Sequence, residues 1–247
     1  MNSDYIYGLH TIKEAVLANR TIEKVFVQEG KSNPDFNSLI AELKSENVVI
    51  QYVPIQKLDY LSWNNPHQGI VALLSAISYV ELEVVVNQVI ENGLTALFML
   101  LDGVTDVRNL GAIARNAESL GANALFLPTQ NSAPITPVTL KASAGALNYI
   151  PVCRINNPKS AILLLKEYGI QIVAVSEKAE NPLSNTDLSV PTCLILGDEG
   201  KGIGHNLLQL CDTKGYIPLF GKITSLNVSV AAGIALYEAN QQRNYRL

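Results

Sequence analysis

The sequence predicts an α/β protein with a mostly parallel β-sheet, preceded by a smaller mixed domain. From residue 94 onwards, short apolar runs alternate with segments of helical periodicity, as strands and helices do around a parallel sheet. The apolar runs are continuous, which is typical of strands that are covered on both faces. The 247 residues are 48% hydrophobic and 16% charged, a composition that indicates a globular protein with a large core.

Residues 1–78 predict the small α/β domain. Helical spacing of apolar residues and short strand-like runs alternate in this region, with predicted helices at 12–19, 36–45 and 54–59 and predicted strands at 24–28, 48–53 and 70–76. Residues 79–93 mix acidic and apolar side chains and end in Glu-Asn-Gly, a helix stop signal. We predict that they form a linker to a second domain at 94–247.

The second domain repeats the order strand, loop, helix. The predicted strands are 96–101, 124–127, 171–175, 193–196 and 216–220, and the predicted helices are 110–120, 160–168, 206–211 and 226–242. The last helix carries two apolar stripes, one of which contains Val230, Ile234 and Tyr237. A helix that is apolar on two sides must be buried on two sides. The sheet covers one stripe, and we expect a second copy of the chain to cover the other.

Composition narrows the class of protein further. The net charge of −4 argues against a broad basic surface for nucleic acid, although a local basic patch remains compatible with it. No apolar run approaches the roughly 20 residues that span a bilayer, and the first residues lack the pattern of a signal peptide, so we expect no membrane segment. Three cysteines without metal-ligand spacing predict neither disulfides nor a metal site, and the cytoplasm is the expected location.

The first polar motif runs from Asp102 to Asn116, at the end of a predicted strand and the start of a helix. Asn109 precedes the first periodic apolar residues, so we expect it to cap this helix. Arg115 falls off the apolar stripe, which leaves two alternatives: it lies in solvent, or it points towards a site.

The second motif is Gly-Asp-Glu-Gly-Lys-Gly, from Gly197 to Gly202, at another strand end. A glycine-rich turn of this kind is typical of nucleotide sites, but this motif matches neither the dinucleotide nor the Walker pattern. Its adjacent carboxylates, Asp198 and Glu199, would repel a pyrophosphate. The motif therefore favours an uncharged or cationic ligand.

The third motif, Thr-Ser-Leu-Asn-Val-Ser, spans residues 224–229. We expect Ser225 to cap the last helix. No histidine stands near it in the sequence, which gives a Ser-His-Asp hydrolase little support. Ligands of open α/β sheets bind beyond the carboxyl ends of the strands, so we predict that Glu199, Ser225 and Asn227 reach one pocket there.

In this order and at these strand-to-helix junctions, the three motifs resemble those of the SpoU-type 2′-O-ribose RNA methyltransferases of the SPOUT superfamily. The matching residues are Asn109, Arg115, Gly197, Glu199, Gly200, Gly202, Ser225 and Asn227. Residues 1–78 also look like the accessory RNA-binding domain of bacterial enzymes that methylate a guanosine ribose in 23S ribosomal RNA. Residues 7–15 and 67–72 carry this second resemblance.

The resemblance implies a C-terminal trefoil knot, a homodimer, and S-adenosylmethionine held by backbone groups of Gly197, Ile217 and Leu226. It also implies that Arg115 assists deprotonation of the ribose 2′-hydroxyl and contacts the target phosphate. The ordinary pKa of arginine exceeds about 12, so we expect the RNA phosphate to help. Asn109, Glu199, Ser225 and Asn227 would then hold Arg115, the loops and the ribose in place. Such positioning supplies much of the rate of an in-line displacement.

In the first domain we predict RNA contacts from Lys13, Arg20, His67 and Gln68. Three other functions stay open at this point: 2′-O-methylation of transfer RNA, RNA binding without catalysis, and nucleotide-dependent reduction. The accessory domain disfavours the first, the complete set of polar residues disfavours the second, and the missing dinucleotide fingerprint disfavours the third.

Overall fold

The computed structural model describes residues 4–244. The predicted domains also include residues 1–3 and 245–247, which lie outside the described residues. The chain forms two compact units, and the first of them contains Met1–Ser78 together with Pro134–Pro137. The second unit contains Tyr79–Ala133 and Val138–Leu247.

The first unit is a four-stranded mixed sheet with helices on both faces. Its elements are β1 (Tyr5–Tyr7), α1 (Leu9–Leu17), β2 (Ile22–Gln28), α2 (Pro34–Ser45), β3 (Val49–Val53), α3 (Ile55–Leu61) and β4 (Ile70–Leu74). The strand order is β1-β4-β2-β3, in which β4 is antiparallel to both neighbours and β2 is parallel to β3. Val25 and Val27 of β2 pack with α1 and α2, whereas Phe26 packs with α3. This alternation gives the sheet two separate apolar clusters.

The second unit is built around a seven-stranded sheet. Its elements are α4 (Leu82–Glu91), β5 (Leu97–Asp102), α5 (Val107–Ser119), β6 (Ala124–Pro128), α6 (Pro137–Ala142), β7 (Val152–Ile155), α7 (Pro158–Glu167), β8 (Gln171–Val175), β9 (Asn181–Pro182), β10 (Thr192–Gly197), α8 (His205–Leu208), β11 (Thr213–Tyr216) and α9 (Val228–Asn244), with Pro137 at the start of α6 assigned to the first unit. The strand order is β7-β6-β5-β10-β8-β11-β9, and every pair is parallel. The predicted α/β class with a mostly parallel sheet is therefore confirmed.

The central strands β5 and β10 are buried along nearly their whole length, because helices cover both faces. Helices α4, α7 and α8 share one apolar cluster with Phe98, Leu100 and Ile195. Helices α5 and α9 pack against each other on the other face, and α9 contacts β10. The carboxyl-terminal ends of β5 and β10, which are followed by polar loops, therefore lie side by side at the edge where α5 and α9 begin.

Two segments differ from their predicted structure. Residues 79–93, predicted as a linker, contain α4, whose Val85, Val86 and Val89 are buried in the core of the second unit. The strand predicted at 216–220 is instead β11, at Thr213–Tyr216. Pro218 has no N–H to donate, which explains why the apolar residues after Tyr216 do not continue the ladder.

Candidate active site

The loop that follows β10 folds back tightly on itself. Gly197 has no room for a side chain, since a Cβ atom there would lie 2.1 Å from the carbonyl carbon of Gly202. The Asp198 carboxylate accepts hydrogen bonds from the backbone N–H groups of Gly200 and Lys201, both at 2.9 Å. These two bonds stabilise the charged form and lower the pKa of Asp198. Asp198 therefore shapes the loop with its own carboxylate.

Asp102, at the end of β5, fixes the far end of this loop. Its Oδ2 atom accepts a hydrogen bond from the backbone N–H of Gly204 at 2.8 Å. Sequence reasoning placed Asp102 in the first motif and gave it no role. A carboxylate at the carboxyl end of a buried strand is a signal for such a role, because neighbouring loops meet there.

Helix α5 is capped by Asp106, and the prediction of Asn109 as its cap is wrong. The Asp106 carboxylate accepts from the N–H groups of Arg108 at 2.8 Å and Asn109 at 2.9 Å. Backbone hydrogen bonds from Asn109 and Arg108 lower the pKa of Asp106. Because Asp106 satisfies the first turn of the helix, the side-chain amide of Asn109 is available for another partner.

That partner is Glu199, and with Asn227 the two residues form a closed group that we term the polar cluster. The Nδ2 atom of Asn109 donates to Oε1 of Glu199 at 3.1 Å. The Nδ2 atom of Asn227 donates both to Oδ1 of Asn109, at 3.0 Å, and to Oε1 of Glu199. The cluster thus joins the first turn of α5, the loop after β10 and the start of α9.

Asn227 and Glu199 together organise the start of α9. The Oδ1 atom of Asn227 accepts from the backbone N–H of Ser229 at 2.9 Å, and Oε1 of Glu199 accepts from that of Val228 at 3.3 Å. Asn227 therefore occupies the cap position, and the prediction of Ser225 as cap is wrong. A carboxylate at the N-terminus of a 17-residue helix is also favoured by the helix dipole.

A cleft with an empty volume of about 630 Å³, open to solvent, lies beside the polar cluster. Five residues of the predicted site line it, namely Gly197, Glu199, Ile217, Ser225 and Leu226. Asn109 and Asn227 are joined to it through Glu199.

Arg115 has no recorded contact with the polar cluster and does not line the cleft. Its side chain is exposed on α5 and forms no hydrogen bond or ion pair within residues 4–244.

The next residue, Asn116, makes a contact that the sequence did not predict. Its Nδ2 atom donates to the carbonyl oxygen of Ser229 at 2.9 Å and ties α5 to α9. A Cβ atom on Gly233 would lie 3.1 Å from that Nδ2 atom, so the two helices approach closely here.

The residues predicted to contact RNA in the first unit differ in their exposure and in their hydrogen-bond partners. His67 is 8% exposed, and its ring nitrogens bond to Asp59 Oδ1 and to the backbone N–H of Gly69, both at 3.0 Å. Both polar atoms of the ring hold the loop together, and the RNA contact of His67 stays a prediction.

Gln68 is exposed, but its Oε1 accepts from the backbone N–H of Leu9 at 2.9 Å, at the start of α1. Lys13 is half-buried and Arg20 is exposed. The RNA contacts of their charged groups stay predictions.

Between residues 4 and 244, no group of three or more His, Cys, Asp or Glu side chains is arranged to hold a metal ion. None of the helices in this range has the length and hydropathy that a bilayer crossing requires.

Comparison with known proteins places these motifs in a family. The model of the SpoU rRNA Methylase family matches residues 96–237, and a model for RNA 2′-O ribose methyltransferase substrate binding matches residues 5–80. YacO of Bacillus subtilis, described as a TrmH family tRNA/rRNA methyltransferase, is 35% identical over 98% of this chain and 96% of its own length. A relative in Staphylococcus saprophyticus with the same family description is 33% identical over 99% of this chain and 98% of its own.

Solved structures share the fold. AviRb of Streptomyces viridochromogenes, a SpoU methyltransferase crystallised with AdoMet, aligns with a TM-score of 0.62 and 23% identity over 98% of this chain and 90% of its own. The TrmH/SpoU tRNA modifying enzyme of A. aeolicus aligns with a TM-score of 0.57 and 30% identity over 67% of this chain and 85% of its own. Motifs, fold and relatives agree, and the chain belongs to the SpoU rRNA methylase family of RNA methyltransferases.

Proposed function

We propose that this protein transfers a methyl group from S-adenosylmethionine to the 2′-hydroxyl of a guanosine ribose in 23S ribosomal RNA. The observation that carries the proposal is the polar cluster, in which Asn109, Glu199 and Asn227 bond to one another at the edge of the cleft. Positioned polar groups of this kind are what activation of a poorly nucleophilic hydroxyl requires.

The residues of the cleft fit S-adenosylmethionine, the cofactor of the AviRb crystal structure. Leu196, Ile203 and Ile217 give it an apolar wall that suits an adenine ring. Asp198 and Glu199 also line it, and carboxylates favour a sulfonium cation over a phosphate. When bound, the cofactor supplies the electrophilic methyl group.

The chain's own residues then orient the ribose. Glu199 is fixed by three donors and keeps its second carboxylate oxygen, Oε2, for substrate or for Ser225 of the same cleft. Arg115, exposed and without an intramolecular partner in the described range, is available to the phosphate of the target nucleotide. The proposed role of Arg115 is to assist removal of the hydroxyl proton, with the phosphate helping to accept it.

The trefoil knot and the homodimer belong to the same proposal. Strand β10 follows β8 and β9 in the chain but lies between β5 and β8 in the sheet, a chain order that supports threading of the C-terminal part. On α9, Val230, Ile234 and Tyr237 are 48%, 39% and 55% exposed. This is the apolar stripe expected to meet a second copy, and a dimer would bury it.

Transfer RNA is the second candidate substrate. The similarity to the A. aeolicus tRNA modifying enzyme favours it, and the relatives are described as tRNA/rRNA methyltransferases. The name of the SpoU rRNA Methylase family supports ribosomal RNA, and the first unit matches a model for RNA substrate binding over residues 5–80. An inactive RNA-binding homologue would have no need for an intact polar cluster. Ribosomal RNA as substrate places the protein in the cytoplasm.

The direct test incubates the purified protein with S-adenosylmethionine labelled in its methyl group and with either ribosomal or transfer RNA. We expect label on 23S RNA, resistant to alkaline cleavage because it lies on a 2′-oxygen. Label on transfer RNA alone would favour the second candidate, and no label on either RNA, with no binding of S-adenosylmethionine, would favour the inactive homologue.

A further inference from the structure

A group of aromatic side chains lies on the α3 face of the first unit. The rings of Tyr5 and Trp63 meet edge to face with centroids 6.3 Å apart, and Tyr5 lies 6.4 Å from Phe26. Burial raises the pKa of Tyr5, and the nearby Asp4 and Tyr60 raise it further. Tyr60 is close to Trp63 in the chain, and its carbonyl oxygen accepts from the backbone N–H of Trp63 at 3.3 Å. We term Tyr5, Tyr60 and Trp63 the aromatic platform.

The platform presents aromatic surface to solvent. Tyr60 is 74% exposed and Trp63 is 48% exposed. Trp63 and Asn64 also have left-handed backbones, with φ of +52° and +58°. The backbone N–H of Asn64 donates to the carbonyl oxygen of Asp59 at 2.8 Å, so these left-handed residues close the C-terminal end of α3. The end of the helix thereby places the indole ring at the surface.

Cations flank the platform. The Nζ atom of Lys57 lies 5.6 Å from the centroid of the Tyr60 ring, one helical turn away on α3. The Nζ atom of Lys24 lies 6.0 Å from the centroid of the Phe26 ring. Lys57 lies beside the exposed Tyr60 ring and Lys24 over the buried Phe26 ring of the same face. Exposed rings with ammonium groups nearby match the arrangement by which proteins bind single-stranded nucleic acid, where bases stack on aromatic faces and cations follow the backbone.

Two carboxylates also lie near the platform. Asp59 bonds to His67 at 3.0 Å and its side chain is 43% exposed, whereas Asp4 is buried. The charged groups that lie over ring faces are the ammonium groups of Lys24 and Lys57. An anionic ligand with flat apolar rings would complement both the ammonium groups and the aromatic surface. An apolar protein surface would complement only the aromatic surface.

We propose that the aromatic platform binds unpaired RNA bases by stacking, with Lys24 and Lys57 on the adjoining phosphates. The proposal rests on the proposed function, which supplies RNA as the substrate, and it names the part of that substrate which the first unit recognises. Duplex RNA keeps its bases stacked on one another and offers none to the platform. The ligand is thus an unpaired loop or bulge of a structured RNA.

Trp63 provides the first test, because it is the chain's sole tryptophan. The full-length protein is titrated with a ten-nucleotide single-stranded RNA, with a duplex of the same length, and with inorganic polyphosphate of matching charge. We expect the single strand to quench Trp63 fluorescence, and the duplex and polyphosphate to leave it nearly unchanged. Equal quenching by polyphosphate, or binding of the single strand with unchanged fluorescence, would overturn the proposal.

Substitutions provide the second test, read by the fluorescence anisotropy of end-labelled single-stranded RNA. Tyr60→Ala and Trp63→Ala should each weaken binding about tenfold, the usual effect of losing one stacked base. Tyr60 is the safer change for folding because it is largely exposed. The matched control is Tyr52→Ala, which removes an aromatic side chain that is 52% exposed and lies on the other face of the sheet from Val53.

The same preparations separate this proposal from the proposed function. Calorimetry with S-adenosylmethionine reports on the cleft of the second unit and should be unchanged in all three variants. If wild-type protein methylates RNA and both platform variants bind and methylate as it does, the platform is not an RNA site and the proposed function stands. If the wild type quenches with single-stranded RNA but binds no S-adenosylmethionine, the proposed function fails and the platform stands.

Discussion

At the scale of single residues, the site depends on Glu199. One of its oxygen atoms accepts from two side-chain amides and from the backbone N–H of Val228. A carboxylate oxygen suits three donors better than a neutral acceptor does, because charged hydrogen bonds are stronger. Removing it leaves Asn109, Asn227 and the start of α9 without their common acceptor.

We therefore expect Glu199→Ala to lower methyl transfer about 100-fold, since loss of a charged acceptor costs about 1.5–3 kcal/mol. Glu199→Gln keeps an oxygen and should lose about tenfold. Initial rates with labelled S-adenosylmethionine measure both. The control is Glu118→Gln, an exposed carboxylate on α5 outside the cleft. An equal loss in Glu118→Gln, or wild-type rates in Glu199→Ala, would contradict the assigned role.

Asp198 gives a pH dependence at the same scale. Its pKa is lowered in the folded protein, so its stabilising effect is fully present above the unfolded pKa of about 3.9 and is lost as pH falls through the lower, folded value. We expect affinity for S-adenosylmethionine to fall below about pH 4 more steeply in the wild type than in Asp198→Asn. Calorimetric titrations between pH 3 and 7 measure it, and parallel profiles would refute the role of Asp198 in shaping the loop.

Residue types in the site could be predicted from the sequence, but their partners could not. Glu199, Asn227 and Asn109 stand in motifs that follow strands, which is a local signal. Their hydrogen bonds join residues 90 and 118 positions apart, and no local pattern encodes these pairs. The caps show the same limit: Asp106 and Asn109 are equally good cap residues, and only the packing of the helix decides between them.

At the scale of elements, the loop after β10 and helix α9 form the cleft. Gly197 lets the loop return against the strand end, and the polar cluster joins that loop to α9. At its other end, α9 is held by Arg243, whose guanidinium donates to the carbonyl oxygens of Thr95, Ala96, Leu188 and Val190. Burial lowers the pKa of Arg243 to about 10, so it stays charged at neutral pH.

Gly197→Ala tests the loop. Its Cβ atom would meet backbone atoms of Gly202 at 2.1 Å, so the loop must move, and we expect a loss of about 2 kcal/mol in stability and at least about tenfold in affinity for S-adenosylmethionine. Gly200→Ala is the control, because the nearest atom to its Cβ is 3.4 Å away, at the end of the Asp198 side chain. Similar losses in both variants would show that the close approach at Gly197 is unimportant.

Arg243→Met tests the other end of α9. The change keeps much of the side chain's volume but removes the guanidinium from four carbonyl groups, of which those of Ala96 and Val190 keep hydrogen bonds from Thr192. We expect a loss of about 3 kcal/mol. For a unit of this size that corresponds to a melting temperature lower by about 6–12 °C. Thermal unfolding measures it against Arg108→Met, an exposed arginine of α5. A decrease in melting temperature no larger than that of Arg108→Met would contradict the role of Arg243 in holding this end of α9.

Local periodicity predicted most elements of the second unit, and β8 has the predicted bounds. The place of β10 between β5 and β8 could not be predicted, because its apolar run would suit any interior strand. Strand β7 was missed since its run, Val152–Ile155, contains Arg154. Arg154 is accommodated there because its guanidinium lies 5.0 Å from the centre of the Tyr79 ring and donates to the carbonyl oxygen of Ala133.

At the scale of the whole molecule, we propose that two copies of the chain pair through α9. Helix α9 buries Val228, Ala232, Ala235 and Leu236 within one copy. Its other stripe stays exposed, and exposed apolar patches of this kind mark interaction sites. Because α9 starts at the polar cluster, its pairing with a second copy would place the interface next to the candidate active site.

We expect Ile234→Glu to weaken self-association at least about 100-fold, because in a symmetric pair it places two like charges at one apolar contact. Sedimentation at micromolar concentration should show a dimer for the wild type and a monomer for the variant. Leu163→Glu is the control, since Leu163 is 44% exposed on α7, at the opposite face of the sheet. A monomeric wild type, or dissociation caused equally by the control, would reject α9 as the interface.

The central claim, that the polar cluster and its cleft serve methyl transfer to a ribose, is tested most directly by mapping the product. Ribosomal RNA from cells that lack this gene is incubated with the purified protein and labelled S-adenosylmethionine, and the labelled nucleotide is then identified. The account predicts one 2′-O-methylated guanosine in 23S RNA, which is absent when Glu199→Ala replaces the wild type. Label on a base nitrogen or carbon, or equal labelling by the variant, would contradict it.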